Sequence, residues 1–172
     1  MITGNALRHQ MVFPEQQAIY AYWRSKCRGG RLPSDADICP SELPGELSMI
    51  SYTQPVPCAK NPGNTRFYLR LAGTGFWNFY GSEIQGRHVD ELPIGCRADY
   101  WDRALRLVVD NRRPYVGVTK PNTPIGSHMC QFWMRLPLAT DGCAVDTILG
   151  YDVIKPLERV MEPIRRRTEE PA

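Results

Sequence analysis

The sequence lacks a long apolar run and any pattern that marks a secreted protein. Its 172 residues contain no apolar segment approaching the ~20 residues that a transmembrane helix needs. The N-terminal residues do not show the basic-then-apolar order of a signal peptide. Six cysteines are present, but none form a CxxC pair of the kind that holds zinc. We therefore expect a cytoplasmic protein with reduced thiols and no membrane partner.

An excess of charge of one sign is also missing. Lysine and arginine number 21 against 18 aspartates and glutamates, which gives a net charge of +3. The one local basic cluster, at residues 165–167, has acidic residues on both sides that largely offset it. A nucleic-acid-binding domain usually carries a broad basic surface. Nucleic acid is therefore not an expected partner.

Residues suited to catalysis or metal binding are few. The three histidines, His9, His88 and His128, are not tied by spacing to a cysteine or a carboxylate. His128 and Cys130 would share a strand face, but two ligands from one strand are too few for a metal site. The glycines around Thr74 lack the Lys-Ser/Thr ending of a P-loop. We predict no catalytic residues, no metal and no enzyme activity.

The most informative stretch is 65–91. It opens as a strand with Phe67, Leu69 and Leu71 on one face, and the alternation stops at Gly73. An aromatic segment follows, and glycines at 81 and 86 then allow sharp changes of direction. This order predicts a strand, a short helix, a tight turn and a second short helical segment.

Two further helices are predicted. Residues 97–112 place Trp101 and Leu105 on one apolar face, and Pro114 ends this helix. In the helix 14–27, Ile19 and Trp23 belong to an apolar stripe that must cover some other surface. That surface is either the protein's own sheet or a second subunit, and the sequence leaves both open.

Alternating patterns and turn signals predict the remaining strands. These strands are 47–53, 115–120, 128–138 and 145–154, and the proline-rich stretch 54–64 is predicted to be a loop. In the strand 128–138, Phe132 and Met134 lie on one face and Trp133 on the other. The Asp141-Gly142 turn predicts that the last two strands form a hairpin.

The order of these parts resembles a PAS domain, in particular a bacterial stand-alone subfamily. The matching motifs are LPS at 32–34, DI at 37–38, RLAGT at 70–74 and GSEIQGR at 81–87. The resemblance implies an α+β fold, with a five-stranded antiparallel sheet and helices on one face, plus an N-terminal flanking helix. The expected organisation is a flexible N-terminus (1–13), the flanking helix (14–30), a PAS core (31–155) and a C-terminal tail (156–172).

The resemblance also implies a ligand pocket between sheet and helices. Light-sensing members bind flavin through a cysteine whose place is taken here by Val89, and the helix 97–112 has no histidine for haem. A flavin photoadduct and haem are therefore not supported, and the cofactor is unknown. The candidate pocket residues are Phe67, Leu69, Leu71, Trp77, Tyr80, Trp101, Leu105, Val118, Phe132, Met134 and Leu149.

A second candidate site is the outer face of the sheet, where the aromatic residues Tyr115, Trp133 and Tyr151 would be exposed unless the helix 14–27 covers them; Ile19 and Trp23 of that helix are candidates for a dimer contact. The candidate partner or dimer residues are Ile19, Trp23, Tyr115, Trp133 and Tyr151. From the resemblance we predict a non-catalytic sensor or docking module of bacterial signalling, which binds a small apolar ligand, a protein partner, or both. The alternatives are an interaction scaffold with a filled core and, from another class, a small-molecule enzyme on a PAS-like sheet.

Overall fold

A computed structural model describes residue 7 and residues 10–43, 47–59, 61–123 and 126–158. The α-helices with described bounds are α1 (Pro14–Lys26), α2 (Gly75–Tyr80) and α3 (Ala98–Asn111). The strands are β1 (Ile50–Cys58), β2 (Asn61–Ala72), β3 (Tyr115–Thr119), β4 (Met129–Leu138) and β5 (Thr147–Pro156). Short 3-10 segments lie at Asp35–Asp37, Pro40–Glu42, Leu47–Met49, Val89–Glu91, Gly95–Arg97 and Gly126–His128.

The five strands form one antiparallel sheet in the order β2-β1-β5-β4-β3. Helices α2 and α3 follow β2 in the chain, and α3 packs on the sheet face that carries Trp133. Helix α1 lies on the opposite face, where Phe13, just before the helix, meets Phe132. The predicted α+β fold and the flanking helix are therefore confirmed.

The stretch 54–64, predicted to be a loop, is instead a hairpin of β1 and β2. Pro55 pairs with Phe67 and Pro57 pairs with Thr65. Beyond Thr53, strand β1 no longer pairs with β5, so one of its edges is open there. Proline is tolerated in a strand where its missing N–H would point to an unpaired edge. The prolines therefore lie in a strand that has one unpaired edge, and they do not end the strand.

Helix α1 packs on the protein's own sheet. Ile19 is fully buried, and the indole N–H of Trp23 donates to the carbonyl oxygen of Pro137 in β4, at 3.0 Å. This hydrogen bond satisfies two polar groups that would otherwise be buried without partners. Of the two surfaces that the apolar stripe could cover, the structure therefore shows the sheet.

A β-bulge in β2 changes the face on which Leu71 lies. Thr53 pairs with Leu69, but its neighbour Tyr52 pairs with Leu71, so Arg70 is an extra residue in β2. One inserted residue reverses the alternation beyond it. Leu69 is therefore buried, whereas Leu71 lies on the other face and is 40% exposed. The prediction that Phe67, Leu69 and Leu71 share a face is corrected at Leu71.

The predicted terminal segments fall partly outside the described residues. Within residues 1–13, Met11 is buried and its carbonyl oxygen accepts a hydrogen bond from the side chain of Gln17. The aromatic ring of Phe13 lies 5.0 Å from that of Phe132, edge to face. Of the predicted tail 156–172, the residues after Glu158 lie outside the described part.

The Trp23 hydrogen bond gives the first prediction. Trp23→Phe keeps an aromatic ring under α1 but leaves the Pro137 carbonyl without a donor. We expect the free energy of unfolding to fall by about 1–3 kcal/mol, the cost of an unsatisfied buried polar group. Urea unfolding would measure it. The control Trp77→Phe changes a tryptophan that is 54% exposed and should shift stability by less than about 0.5 kcal/mol. Equal effects of the two changes would contradict the prediction.

Candidate functional site

Side chains with polar groups on one face of strand β4 point toward α2 and α3. The ring of Trp133 lies 5.5 Å from that of Trp101 in α3, and the Arg135 guanidinium lies 4.8 Å from the same Trp101 ring. Because neighbours in a strand alternate, Phe132 and Met134 lie on the other face, which α1 covers. Leu149 pairs with Leu136 and lies there too. The placement of Phe132, Met134 and Leu149 in the pocket is therefore corrected.

A buried ion pair joins β4 to β5 on the face beneath α2 and α3. Arg135 Nη1 donates to Asp152 Oδ2 at 2.8 Å, and Nη2 donates to Asp152 Oδ1 at 3.2 Å. The side chain of Asp152 is fully buried. Gln131 Nε2 donates to Asp152 Oδ1 at 2.8 Å, which gives the carboxylate a third hydrogen bond. A charge pair without water needs this degree of hydrogen bonding to be tolerated.

The same network reaches the short helix α2 through Tyr80. The side chain of Gln131 hydrogen-bonds to the Tyr80 hydroxyl. Burial, assisted by the negative charge of Asp152, raises the pKa of Tyr80 well above its ordinary value. The phenol therefore stays protonated at neutral pH. Sheet and helix are thus connected by a chain of polar side chains inside an otherwise apolar interior.

Two glycines leave room for the large side chains on this face. A Cβ on Gly150 would lie 2.3 Å from Ser51 Oγ and 3.1 Å from Arg135 Nη1. A Cβ on Gly117 would lie 2.5 Å from Cζ2 of Trp133. Both distances to the nearest atom are well inside van der Waals contact. Because these two positions carry no side chain, Arg135 and Trp133 can lie flat against the sheet.

A small cavity of about 30 Å³ lies between this face and the helices. Its polar lining is Ser51, Thr53, Tyr80 and Arg135. The apolar lining consists of Leu69, Phe76, Ile84, Val89, Leu92, Trp101 and Leu105. A volume of ~10–15 Å³ is enough for one water molecule. In this conformation the cavity therefore fits a group of a few atoms.

The structure brings some of the predicted pocket residues together and separates others. Leu69, Tyr80, Trp101 and Leu105 line the cavity, whereas Phe67 is buried in the core and lines a separate, larger cleft. Trp77 and Val118 do not line it and are 54% and 56% exposed. Trp77 is on the solvent side of α2, whose Phe76, Phe79 and Tyr80 point inward, and Val118 pairs with Phe132 on edge strand β3. Their placement in the pocket is corrected, as for Leu71.

The five partner candidates do not form one exposed surface. Ile19, Trp23, Trp133 and Tyr151 are all buried within the chain. Trp133 pairs with Asp152, so it lies on the opposite face from Tyr151, the neighbour of Asp152 in β5. Tyr115 is half-buried, and its hydroxyl accepts a hydrogen bond from Asn111 of α3 at 3.0 Å. The predicted aromatic surface is therefore corrected: Ile19 and Trp23 are buried residues of α1, and Trp133 lies beneath Trp101 of α3.

A larger but open cleft of about 620 Å³ lies between the start of β2 and the N-terminal half of α3. Most of the charged side chains that line this cleft form ion pairs with one another. Arg66 binds both Asp90 and Glu91 at 2.7 Å, and Arg106 binds Asp102 at 2.6 Å. Arg66, together with hydrogen bonds from His88, lowers the pKa of Glu91 to about 2. Arg66, Asp90, Glu91, Asp102 and Arg106 in the cleft are thus paired, whereas the structure shows no ion pair for Asp99 within the described residues.

Sequence reasoning missed Arg135, Asp152 and Gln131. A signal was present, because Arg135 and Asp152 stand inside strands that are otherwise apolar, in QFWMRLPL and ILGYDVI. Charged residues are rarely buried unless they are paired. Two such residues of opposite sign on successive strands of a predicted hairpin indicate a buried pair between them. The hairpin prediction and this rule together would have found the site.

Other chemistry is limited in the described part of the chain. All six cysteines are free thiols. Within the described ranges, no three side chains of the His, Cys, Asp and Glu types come together as a metal site. No helix among these residues is long and apolar enough to cross a bilayer. The Arg135–Asp152 network and its cavity are therefore the candidate site.

The ion pair gives the second prediction. Arg135→Ala would leave the Asp152 carboxylate buried without its cation. We expect a loss of about 3–5 kcal/mol in the free energy of unfolding, measured by urea denaturation at neutral pH. The control is Lys26→Ala, which breaks the exposed Lys26–Glu42 pair and should shift the midpoint far less. If both variants unfold at the same urea concentration, the pair does not hold the interior together.

The Arg66 contacts give the third prediction, on pH. The folded pKa of Glu91, about 2, lies below the ordinary value of about 4.3. Its contribution to stability is therefore present above the ordinary value and is lost as the pH falls through about 2. Arg66→Gln should raise the pKa of Glu91 toward the ordinary value in a carboxyl ¹³C NMR titration. Arg103→Gln, in the same helix as Arg106, should leave it unchanged; no rise in Arg66→Gln would assign the shift to His88 instead.

The chain matches a known family over most of its length. A family model described as a PAS domain matches residues 11–152. A search of curated proteins found no match. Among solved structures, an RNA-binding Light-Oxygen-Voltage receptor is 13% identical with a TM-score of 0.50, covering 92% of this chain and 40% of that one.

Two further solved structures are similar at lower TM-scores. The PAS domain of a protein from Colwellia psychrerythraea is 14% identical with a TM-score of 0.46, covering 62% of this chain and 85% of that one. A LOV protein from Rhodobacter sphaeroides is 15% identical with a TM-score of 0.47, covering 67% of this chain and 64% of that one. At such identities the likeness concerns the fold alone.

Proposed function

This chain belongs to the PAS domain family, and from that premise we propose that it is a non-catalytic sensor and docking module of bacterial signalling. A sensing module must detect a signal in one part of the fold and transmit it to another. We propose that the occupant or packing of the interior beneath α2 and α3 changes the position of α1. The output is then read by a protein partner. Such a function requires the binding of a ligand or a partner and no catalytic turnover.

The observation that carries the proposal is the double role of β4. Arg135 lines the cavity on one face of this strand, and its neighbours Met134 and Leu136 are fully buried on the face that α1 covers. The next residue, Pro137, accepts the hydrogen bond from Trp23 of α1. A tightly packed strand transmits displacement, because close-packed side chains on the face beneath α1 cannot move without moving their neighbours. A shift at Arg135 would therefore reach α1 within one strand.

The interior supports a small ligand for this sensor. We propose that Leu69, Tyr80, Trp101 and Leu105 form its walls, with Arg135 at its polar end. The cavity of about 30 Å³ fits a few atoms, which favours a small ligand over a large ring system. Mostly apolar walls with a few polar groups are typical of ligand sites. A ligand in this position would have one polar end, whereas the sequence predicted a small apolar ligand.

The second candidate function is an interaction scaffold with a filled core. The small volume of the cavity favours it, as does the exposure of Trp77 on α2 and of Leu47, which are 54% and 50% exposed. Exposed aromatic side chains are common at protein interfaces. In that case the partner would bind the outer surface of α2. A homodimer through α1 would use the side of the helix that does not cover the sheet.

We keep the domain division as part of the proposal. The PAS core would run over 31–155, the flanking helix over 14–30, and the segments 1–13 and 156–172 would lie outside the core. We propose that the module works in the cytoplasm, where its six thiols stay reduced.

The fourth prediction tests the relay from the cavity to α1. Leu105→Ala would enlarge the cavity from the α3 side. We expect faster amide hydrogen exchange in α1 than in the wild type, with a smaller change in the β1–β2 hairpin, measured by mass spectrometry. The control Leu107→Ala changes a leucine of the same helix that is 45% exposed, and it should leave α1 unchanged.

Two outcomes would decide between the candidate functions. Faster exchange spread evenly over the whole chain would mean general destabilisation, and the relay through β4 would be wrong.

Native and denaturing mass spectra of the purified protein test whether a ligand is bound. A mass excess that disappears on denaturation supports the sensor, whereas a bare native mass together with an unresponsive α1 supports the scaffold.

A further inference from the structure

We propose that the cavity binds a planar monovalent oxyanion of three heavy atoms, of the formate or nitrite class. The ligand would be held by the free edge of the Arg135 guanidinium and by the hydroxyls of Ser51 and Thr53. This inference rests on the proposed function, because it names the chemical class of the ligand that the interior would sense. It is carried by a count of hydrogen-bond donors and by the size of the cavity.

Arg135 has two N–H groups to spare. Its guanidinium carries five N–H donors in a planar fork. Nη1 uses both of its donors, on Asp152 and on the Met134 carbonyl oxygen at 2.9 Å, and Nη2 uses one donor on Asp152. The Nε–H and the second Nη2–H have no acceptor among the described residues. These two groups form one edge of the fork, which is the edge that matches two oxygens of a planar anion.

This free edge is the part of Arg135 that can face the cavity. Asp152 occupies the other edge of the guanidinium, and it is not among the residues that line the cavity. Arg135 does line it, although its side chain is 8% exposed overall. The ion pair therefore fixes the orientation of the fork and leaves two of its donors unused, beside the ring of Trp101 at 4.8 Å.

Two hydroxyl side chains border the cavity together with Arg135. Ser51 and Thr53 are each 3% exposed and both line the cavity. The enclosed side-chain atoms without a partner among the described residues are Ser82 Oγ and Asp146 Oδ1, so the hydroxyls of Ser51 and Thr53 are not orphaned groups of that kind. A polar group that borders a cavity can take its hydrogen-bond partner from whatever occupies the cavity. A ligand with acceptor oxygens would satisfy both hydroxyls and the guanidinium edge together.

The charge and size of the cavity select the class of ligand. Its polar lining offers hydrogen-bond donors and contains no carboxylate, which favours a ligand with acceptor oxygens. Seven apolar side chains complete the walls and exclude a hydrated ion or a highly charged one. A volume of about 30 Å³ fits three heavy atoms but no sugar or aromatic ring. Formate and nitrite meet these conditions and share the same planar geometry.

The test is binding of ¹³C-formate and of nitrite to the full chain. Formate binding would be measured by NMR line broadening and by nuclear Overhauser effects from the formate proton to the ring protons of Trp101. Nitrite would be measured by its competition with formate. Sodium gluconate keeps the ionic strength constant, since its anion is too large to enter. We expect saturable binding of formate, competition by nitrite, and no competition by benzoate.

The matched variants are Ser51→Ala and Thr53→Val, which remove one hydroxyl each and leave the Arg135–Asp152 pair in place. Each should weaken formate binding by about tenfold, the effect of one hydrogen bond to a charged group. Arg135→Lys keeps a cation beside Asp152 but removes the fork, and it should abolish binding. The control Ser41→Ala, an exposed serine that does not line the cavity, should bind as the wild type does.

Three results would overturn the inference. The first is the absence of saturable binding, which would leave water as the occupant of the cavity. The second is binding that Ser51→Ala and Thr53→Val do not weaken, which would place the anion elsewhere. The third is equal binding of benzoate. None of these results bears on the relay to α1, which the exchange experiment on Leu105→Ala tests separately.

Discussion

The structure depends on one buried ion pair between adjacent strands. Arg135 and Asp152 face the same way from β4 and β5, and Gln131 completes the hydrogen bonds of the carboxylate. Because an unpaired charge in this position would be costly, the pair fixes which side of the two strands faces α2 and α3. Phe132, Met134 and Leu149 must then lie on the other side. The most apolar face of the sheet is therefore the one that α1 covers.

This arrangement explains why the flanking helix is part of the folded unit. A face that carries Phe132, Met134 and Leu136 would expose a large apolar area without a cover. Helix α1 supplies that cover, and the Trp23 hydrogen bond to Pro137 sets its position on β4. The interior on the other face can then be partly polar without losing the main hydrophobic core. The face under α1 thus stabilises the fold, and the face under α2 and α3 holds the candidate site.

Much of the fold could be predicted from the sequence, because it depends on local patterns. The face of α3 with Trp101 and Leu105 and the alternation of β4 are visible in the order of the residues. Which face of β4 points toward α1 could not be predicted from its own pattern, since both of its faces are buried. It depends on the pairing of Arg135 with a residue 17 positions away. The bulge at Arg70 likewise arises from register with β1, which local alternation does not contain.

The prolines of β1 have a consequence for how this protein behaves in a crowded solution. Beyond Thr53, one edge of β1 extends past β5 and is open to other chains. An open strand edge is a template on which another polypeptide can add and start aggregation. Pro55 and Pro57 take N–H donors away from this edge, so an incoming strand finds an incomplete ladder. The β1–β2 hairpin therefore has its own protection against self-association.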